Sequence, residues 1–260
     1  TAMADFSLSL FQGLVTKDEE NDLISPLSAV LCLAMIANGA DNNTKAQMEA
    51  AFGMDIDTLN RSLYAYTSSL YRADDCKLNL ADSIWFRDGD NRLHINEAFL
   101  QTNADWYHAQ VYAAPFDQST LKDINAWCKQ YTDGMIEKMI DEISPDAVMY
   151  LVNALTFDAK WANEYEKKDI DDGKFTNYDG TQKTVQMLSS EESTYLSADG
   201  VKGFAKNYAG NKYSIIALLP DEETDSYDYI STLDGAGWMK IWNTRKSAVV
   251  KVKMPEFTYS

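Results

Sequence analysis

The chain has 260 residues, 45% of them apolar, 12% aromatic and 24% charged, enough for a large core in one big domain or two small ones. Its formal net charge of -17 excludes nucleic-acid backbones and anionic membranes as primary partners, because such a surface repels them. No apolar run approaches the ~20 residues that a membrane-spanning helix needs.

The first residues, Thr1-Ala2-Met3-Ala4-Asp5-Phe6, already begin an amphipathic helix, so no signal peptide is expected within them. Phe6, Leu10, Phe11 and Leu14 continue it at helical spacing, and Asp18-Glu19-Glu20 breaks it. Leu23-Ile24-Ser25 is a short strand candidate. Ser25 then caps a second helix whose first turn suits Pro26 and which Gly39 ends. Asn43-Thr44 caps a third helix through Phe52, and residues 57–71 form a fourth, with Leu59, Leu63, Tyr66 and Leu70 on one face.

The period then changes. Leu78, Leu80, Ile84 and Phe86 mark a strand, residues 97–107 return to helix, and residues 111–113 form a short strand. An amphipathic helix is expected over 121–140, with Ile124, Trp127, Cys128, Tyr131, Met135, Ile136 and Met139 as its apolar stripe. Residues 148–157 read as a strand buried on both faces. Strands follow at 173–178, 184–188, 193–196, 201–208, 213–219 and 247–257, separated in part by the turn signals Asp179-Gly180 and Asp199-Gly200, with one helix over 226–242. Residues 1–75 are thus helical, 76–145 mixed and 146–260 mostly strand. Helices first and strands later indicate an α+β domain spanning 1–260.

Little of this supports catalysis. The Gly-x-Ser-x-Gly, His-Glu-x-x-His, phosphate-loop and dinucleotide motifs do not occur. The two histidines, His94 and His108, fall where surface or structural roles are expected. The run Asp169-Ile170-Asp171-Asp172-Gly173 has the wrong spacing for a calcium loop and is read as a solvated turn. Cys32, Cys76 and Cys128 lie far apart with no Cys-x-x-Cys or Cys/His cluster, so neither a zinc site nor a disulfide framework is indicated. Cys32 and Cys128, in apolar helical segments, are expected as buried free thiols. No metal or cofactor is expected, and an enzyme is the least favoured class. The sequons at Asn42 and Asn60 fall in helical contexts and carry little weight.

Two distant blocks stand out instead. Asn21-Asp22-Leu23-Ile24-Ser25-Pro26-Leu27-Ser28 and Leu151-Val152-Asn153-Ala154-Leu155-Thr156-Phe157-Asp158-Ala159-Lys160-Trp161 each set small polar groups in apolar surroundings. Burying such groups is costly unless they are hydrogen-bonded, so Ser25, Ser28 and Asn153 either bond one another or line a site.

With Asn38-Gly39-Ala40, the stretch from Ile124 to Ile136, Phe175 to Met187, Tyr213-Ser214-Ile215-Ile216-Ala217-Leu218-Leu219-Pro220 and Val252-Lys253-Met254-Pro255-Glu256-Phe257, these blocks occur in an order that resembles the serpin family. The resemblance implies about nine helices around three β-sheets (A, B and C). It also implies a mechanism in which a protease cleaves an exposed reactive loop and is acylated, and the loop then inserts into sheet A as a new strand. It implies that Ser25, Ser28 and Asn153 form the polar "shutter" beneath the parting strands, and that Trp161 marks the "breach" where insertion starts.

Departures are visible. Asp158, Thr156, Ile170 and Glu256 stand where other residues are common in the family. The segment resembling the usual heparin site carries only Arg61, Arg72 and Lys77 among several acids, which argues against heparin as a partner. The pattern stops inside a late strand of sheet A. The reactive bond is therefore expected outside residues 1–260, and the strands at 201–208 and 213–219 are expected to pack against a further C-terminal segment of the same product. The expected partner is a serine, or alternatively a cysteine, protease, and the expected setting is secreted, with an intracellular one as alternative. The rival function is a non-inhibitory carrier or scaffold on the same fold.

Overall fold

The computed structural model describes residues 2–15, 22–89, 93–198 and 200–258. The expected break at Asp18-Glu19-Glu20, the first residue of the Asn21 block, and Asp199 of one turn lie outside the described residues. The chain forms two compact units, Ser25–Asp158 and a second made of Thr1–Ile24 with Ala159–Ser260.

In the first unit, helices α2 (Pro26–Ala37), α3 (Asn42–Phe52), α4 (Ile56–Ser69), α5 (Glu97–Tyr107) and α6 (Gln118–Tyr131) accompany strands β1 (Cys76–Arg87), β2 (Gln110–Ala114) and β3 (Met149–Ala159). The strands form a sheet in the order β2-β1-β3, with β1 and β2 parallel from Ser83↔Gln110 to Arg87↔Ala114. Most of the helices start at a capping acid or amide whose side-chain oxygen accepts from a backbone N–H that the helix cannot pair: Asp41, Asp55, Asn96 and Asp117. Trp85, Phe116, Ile124, Trp127, Cys128 and Val152 form the core between α6 and the sheet.

Helix α6 is shorter than its apolar stripe predicts. It ends at Tyr131, where Asp133 and Gly134 take positive φ (50° and 81°). The Thr132 hydroxyl donates to the Cys128 carbonyl and accepts from the Ile136 N–H, which closes the helix end while Ile136, Met139 and Ile140 still pack on the core as irregular chain. The short strand expected at Leu23-Ile24-Ser25 is not formed; those residues are an irregular lead-in to the Ser25 cap.

The second unit holds α1 (Ala2–Leu14), β4 (Ile170–Thr176), β5 (Gln182–Ala198), β6 (Val201–Asn207), β7 (Ser214–Pro220), α7 (Ser226–Thr232), α8 (Gly235–Asn243) and β8 (Lys246–Pro255). The strands expected at 184–188 and 193–196 are one strand, β5. It pairs antiparallel with β4 over Gln182 to Leu188, with β8 over Met187 to Tyr195, and with β6 over Thr194 to Ala198, bulging between Glu192 and Thr194. Two neighbourhoods that would otherwise be separate sheets are thereby joined into one five-stranded network, β4-β5-β6-β7 with β8 on β5. At Gly203, a Cβ would stand 2.4 Å from the Ala217 carbonyl oxygen of the paired strand β7, so the close approach of β6 and β7 requires glycine there.

The single helix expected over 226–242 is two. Asp234 accepts from the Gly237 N–H and starts α8 afresh after Leu233, whose extended backbone ends α7. Helix α1 is tied to this pair: Asp5 Oδ1 accepts from the Gly235 N–H at 2.7 Å, and Gln12 Nε2 donates to the Ile230 and Leu233 carbonyls. Among the described residues there are eight α-helices with two single-turn 3-10 segments.

Candidate functional site

The residues singled out in the sequence fall at two polar centres, one in each unit.

In the first unit, Ser25 caps α2. Its Oγ accepts from the Ser28 N–H at 3.3 Å and donates to the Ser28 hydroxyl at 2.9 Å. Ser25 is exposed and Ser28 half-buried. Asn153 lies in the part of β3 that is buried on both faces, Val152 to Ala154, and is itself 9% exposed. Its side-chain bond goes to neither serine. Nδ2 donates to Oδ1 of Asp82, on β1, at 2.9 Å, while Asn153 Oδ1 is buried with no hydrogen-bond partner. The residue of α2 that meets Asn153 is Cys32, through the Asn153 backbone, one turn beyond Ser28.

Asp82 is the unforeseen member of this centre. It is 4% exposed, and burial raises its carboxyl to about 6 against the lowering effect of the Asn153 bond. It perturbs its surroundings in turn. The half-buried Cys32 thiol is pushed up to about 11, first by burial and then by the Asp82 charge, with the Asn153 backbone pulling the other way. The Tyr107 phenol is raised by burial and by Asp82 as well. A thiol held so far from ionisation is a packing group and not a nucleophile.

Beside Asp82 runs a file of amides. The Tyr107 hydroxyl donates to Asn60 Oδ1, Asn60 Nδ2 to Asn38 Oδ1 at 2.8 Å, and Asn38 Nδ2 to Asn103 Oδ1 at 3.0 Å. Asn103 then donates to the Met35 and Phe99 carbonyls. Asn60, 2% exposed, therefore has both side-chain atoms engaged, and its sequon is closed to modification in the folded protein. Helices α2, α4 and α5 are cross-linked by this file, which reinforces their packing with directional bonds. His108 ends α5 in a left-handed conformation, its ring tilted against Tyr64.

In the second unit, Trp161 follows β3 and makes an antiparallel bridge with Tyr208; the two rings stack at 4.4 Å and 11°. The bridge is flanked by Ala209 N–H to the Lys160 carbonyl (2.8 Å) and Ala162 N–H to the Asn207 carbonyl (3.0 Å). Beneath it lies Lys206, whose side chain is 3% exposed. Nζ donates to Glu192 Oε1 at 2.9 Å and to the Asn163 carbonyl at 3.2 Å, and sits 5.3 Å from the Trp161 ring centre and 4.5 Å from that of Tyr165. Ser190 Oγ gives Glu192 a further bond at 2.7 Å. A buried ammonium is tolerated only when paired, and here a carboxylate, a carbonyl and two aromatic faces share it. The pair forms part of the wall of a cavity of about 490 Å³.

Among the described residues no three His, Cys, Asp or Glu side chains converge as a metal site. Each centre ties two strands through their side chains, β1 to β3 in the first unit and β5 to β6 in the second. Asp82 was discoverable as a lone acid inside the apolar strand pattern Leu80–Ile84–Phe86, and Lys206 as a lone cation in the run 201–208. Their partners, distant in sequence, were not.

The family model for Serpin (serine protease inhibitor) matches residues 1–260. This chain belongs to the serpin family. Tengpin, a thermophilic serpin, is 45% identical with a TM-score of 0.93 in its latent-state structure, covering 99% of this chain and 70% of that one. Its native-state structure gives the same TM-score at 44% identity. Human Serpin B11 is 27% identical over 85% of this chain, and human neuroserpin 25% identical over 99%. This serpin spans 62% and 66% of the length of those two relatives. The α+β fold expected of the family is the fold observed.

Proposed function

We propose that this serpin inhibits a protease by trapping it, with a serine protease the first candidate and a cysteine protease the second. Support comes from family membership joined to one observation: a 45%-identical relative exists in a native and a latent state, and this chain carries, between β1 and β3, a buried polar pair whose bonding is incomplete. A sheet that must rearrange is served by such a joint better than by a sealed apolar seam. A new strand of a dozen or so residues, at roughly 1 kcal/mol net per backbone hydrogen bond, would supply on the order of 10 kcal/mol to drive the rearrangement.

In the proposed reaction, the protease's nucleophile attacks the carbonyl of the reactive bond. An acyl bond forms to the nucleophile's oxygen or sulfur, the C–N bond breaks, and the new amino terminus carries the proton away. Insertion of the freed loop then holds the enzyme in the acyl state. The reactive bond would lie outside residues 1–260, as the family resemblance implies. Ser25, Ser28, Asn153 and Asp82 would act as the shutter, and Trp161 with Tyr208, Lys206 and Glu192 as the breach. The protein would accordingly be no enzyme, and its working location extracellular.

The test is incubation of the intact protein with a panel of serine and cysteine proteases. A covalent complex that survives SDS is the expected result. Clean cleavage without a complex, across the panel, would replace this reading with the carrier or scaffold.

A further inference from the structure

The Asp82–Asn153 contact is one hydrogen bond short of what its two groups can make. An amide has a donor on one atom and an acceptor on the other. Ionised, Asp82 can only accept, so it serves Asn153 Nδ2 and leaves Asn153 Oδ1 buried without a partner, as observed. Protonated, it offers a carbonyl and a hydroxyl, which match Nδ2 and Oδ1 together.

Of the groups around Asp82, the Asn153 amide alone favours the charge, and burial outweighs it. Helix α2 presents the Cys32 thiol, α5 the Tyr107 phenol and β3 the Asn153 amide. The cavity of about 360 Å³ that Asp82 borders also holds Arg72, His108 and Tyr131 in its wall, but Arg72 spends its guanidinium on the Leu78 and Leu70 carbonyls.

We propose that Asp82 is a proton-controlled positioning residue for β3: with a proton it closes a two-bond ring with Asn153 and fixes β3 on β1, and without one it releases half of that joint. The proton comes from solvent through the adjoining cavity, and no other atom is transferred. The raised carboxyl pKa, about 6, places the change between mildly acidic and neutral conditions. On the trapping mechanism proposed above, and resting on it, the sheet would be held shut in acid and readied at neutral pH.

The experiment compares the intact protein with Asp82→Asn, whose amide offers a donor and an acceptor at every pH. Denaturant unfolding is measured from about pH 4.5 to about pH 7.5, and the ratio of the wild-type unfolding constant to that of the variant is followed. For a carboxyl moved from 3.8 to about 6, that ratio should rise about 25-fold across the range. Parallel profiles in the two proteins would overturn the proposal. Should the variant fold poorly, the Asp82 carboxyl carbon is titrated by NMR in the wild type: a midpoint above about 5 supports the proposal and one near the ordinary carboxylate value overturns it. The protease-complex assay reads the inhibitor proposal separately. A 25-fold change with no complex at any pH would remove that reading and leave the Asp82 joint standing.

Discussion

The two buried polar centres solve the same problem in opposite ways. Lys206 and Glu192 are a complete arrangement: a full charge pair, a serine hydroxyl, a backbone carbonyl and two aromatic faces around one ammonium. Asp82 and Asn153 are an incomplete one, a single bond at 2.9 Å with an amide oxygen left over. A complete centre resists change because every altered geometry loses several bonds at once. An incomplete centre is tuned by whatever supplies the missing group. The contrast assigns rigidity to the Trp161 junction and adjustability to the β1–β3 joint.

The comparison breaks most readily at Lys206. Lys206→Ala strands Glu192 in the interior and should cost about 3–5 kcal/mol of stability by denaturant midpoint. The joint replacement Lys206→Met with Glu192→Leu should recover most of it, because an apolar pair of similar volume avoids the desolvation cost. At the other centre the largest effect is pH dependence. The folded Asp82 carboxyl binds its proton more tightly than the unfolded one, so its contribution is fully present below about pH 4 and is lost as pH rises through about 6. The difference is on the order of 3 kcal/mol, read as the gap between wild type and Asp82→Asn in unfolding free energy. Asn153→Ala removes the amide altogether and leaves the carboxyl without its bond. A loss of about 1–3 kcal/mol is expected, again from denaturant midpoints. Ser25→Ala, which deletes only the α2 cap, should cost about 1 kcal/mol and leave the pH profile unmoved, sharpening the separation between cap and joint.

Much of the architecture was legible because caps and breakers are local signals. Ser25-Pro26 before α2 and Gly53 after Phe52 each act within a few residues of the chain. The misjudged boundaries share a cause. Apolar spacing continues past Thr132 and past Leu233, but Asp133-Gly134 and Asp234 redirect the backbone while the same side chains still reach a core. At the candidate site the sequence picked out Asn153 and Trp161 as unusual without showing what they touch. Asn153 meets a residue 71 positions away and Trp161 one 47 positions further on, and strand pairing over such distances has no period to betray it. Asp82 stands in register with Leu78, Leu80, Ile84 and Phe86, on the face that alternation buries, but a pattern read from apolar residues alone passes over the acid among them.

The wiring of Asn60 has a practical consequence for anyone producing the protein. Asn60-Arg61-Ser62 is an acceptor for oligosaccharide transfer in a eukaryotic secretory host, and transfer acts on chains that have not yet closed. A sugar attached to that nitrogen would replace one of its two hydrogens and place a bulky group where the chain has no room beside Asn38. Yield in such a host is then a race between collapse of the α2–α4–α5 bundle and the transferase, a race that a bacterial cytoplasm does not run.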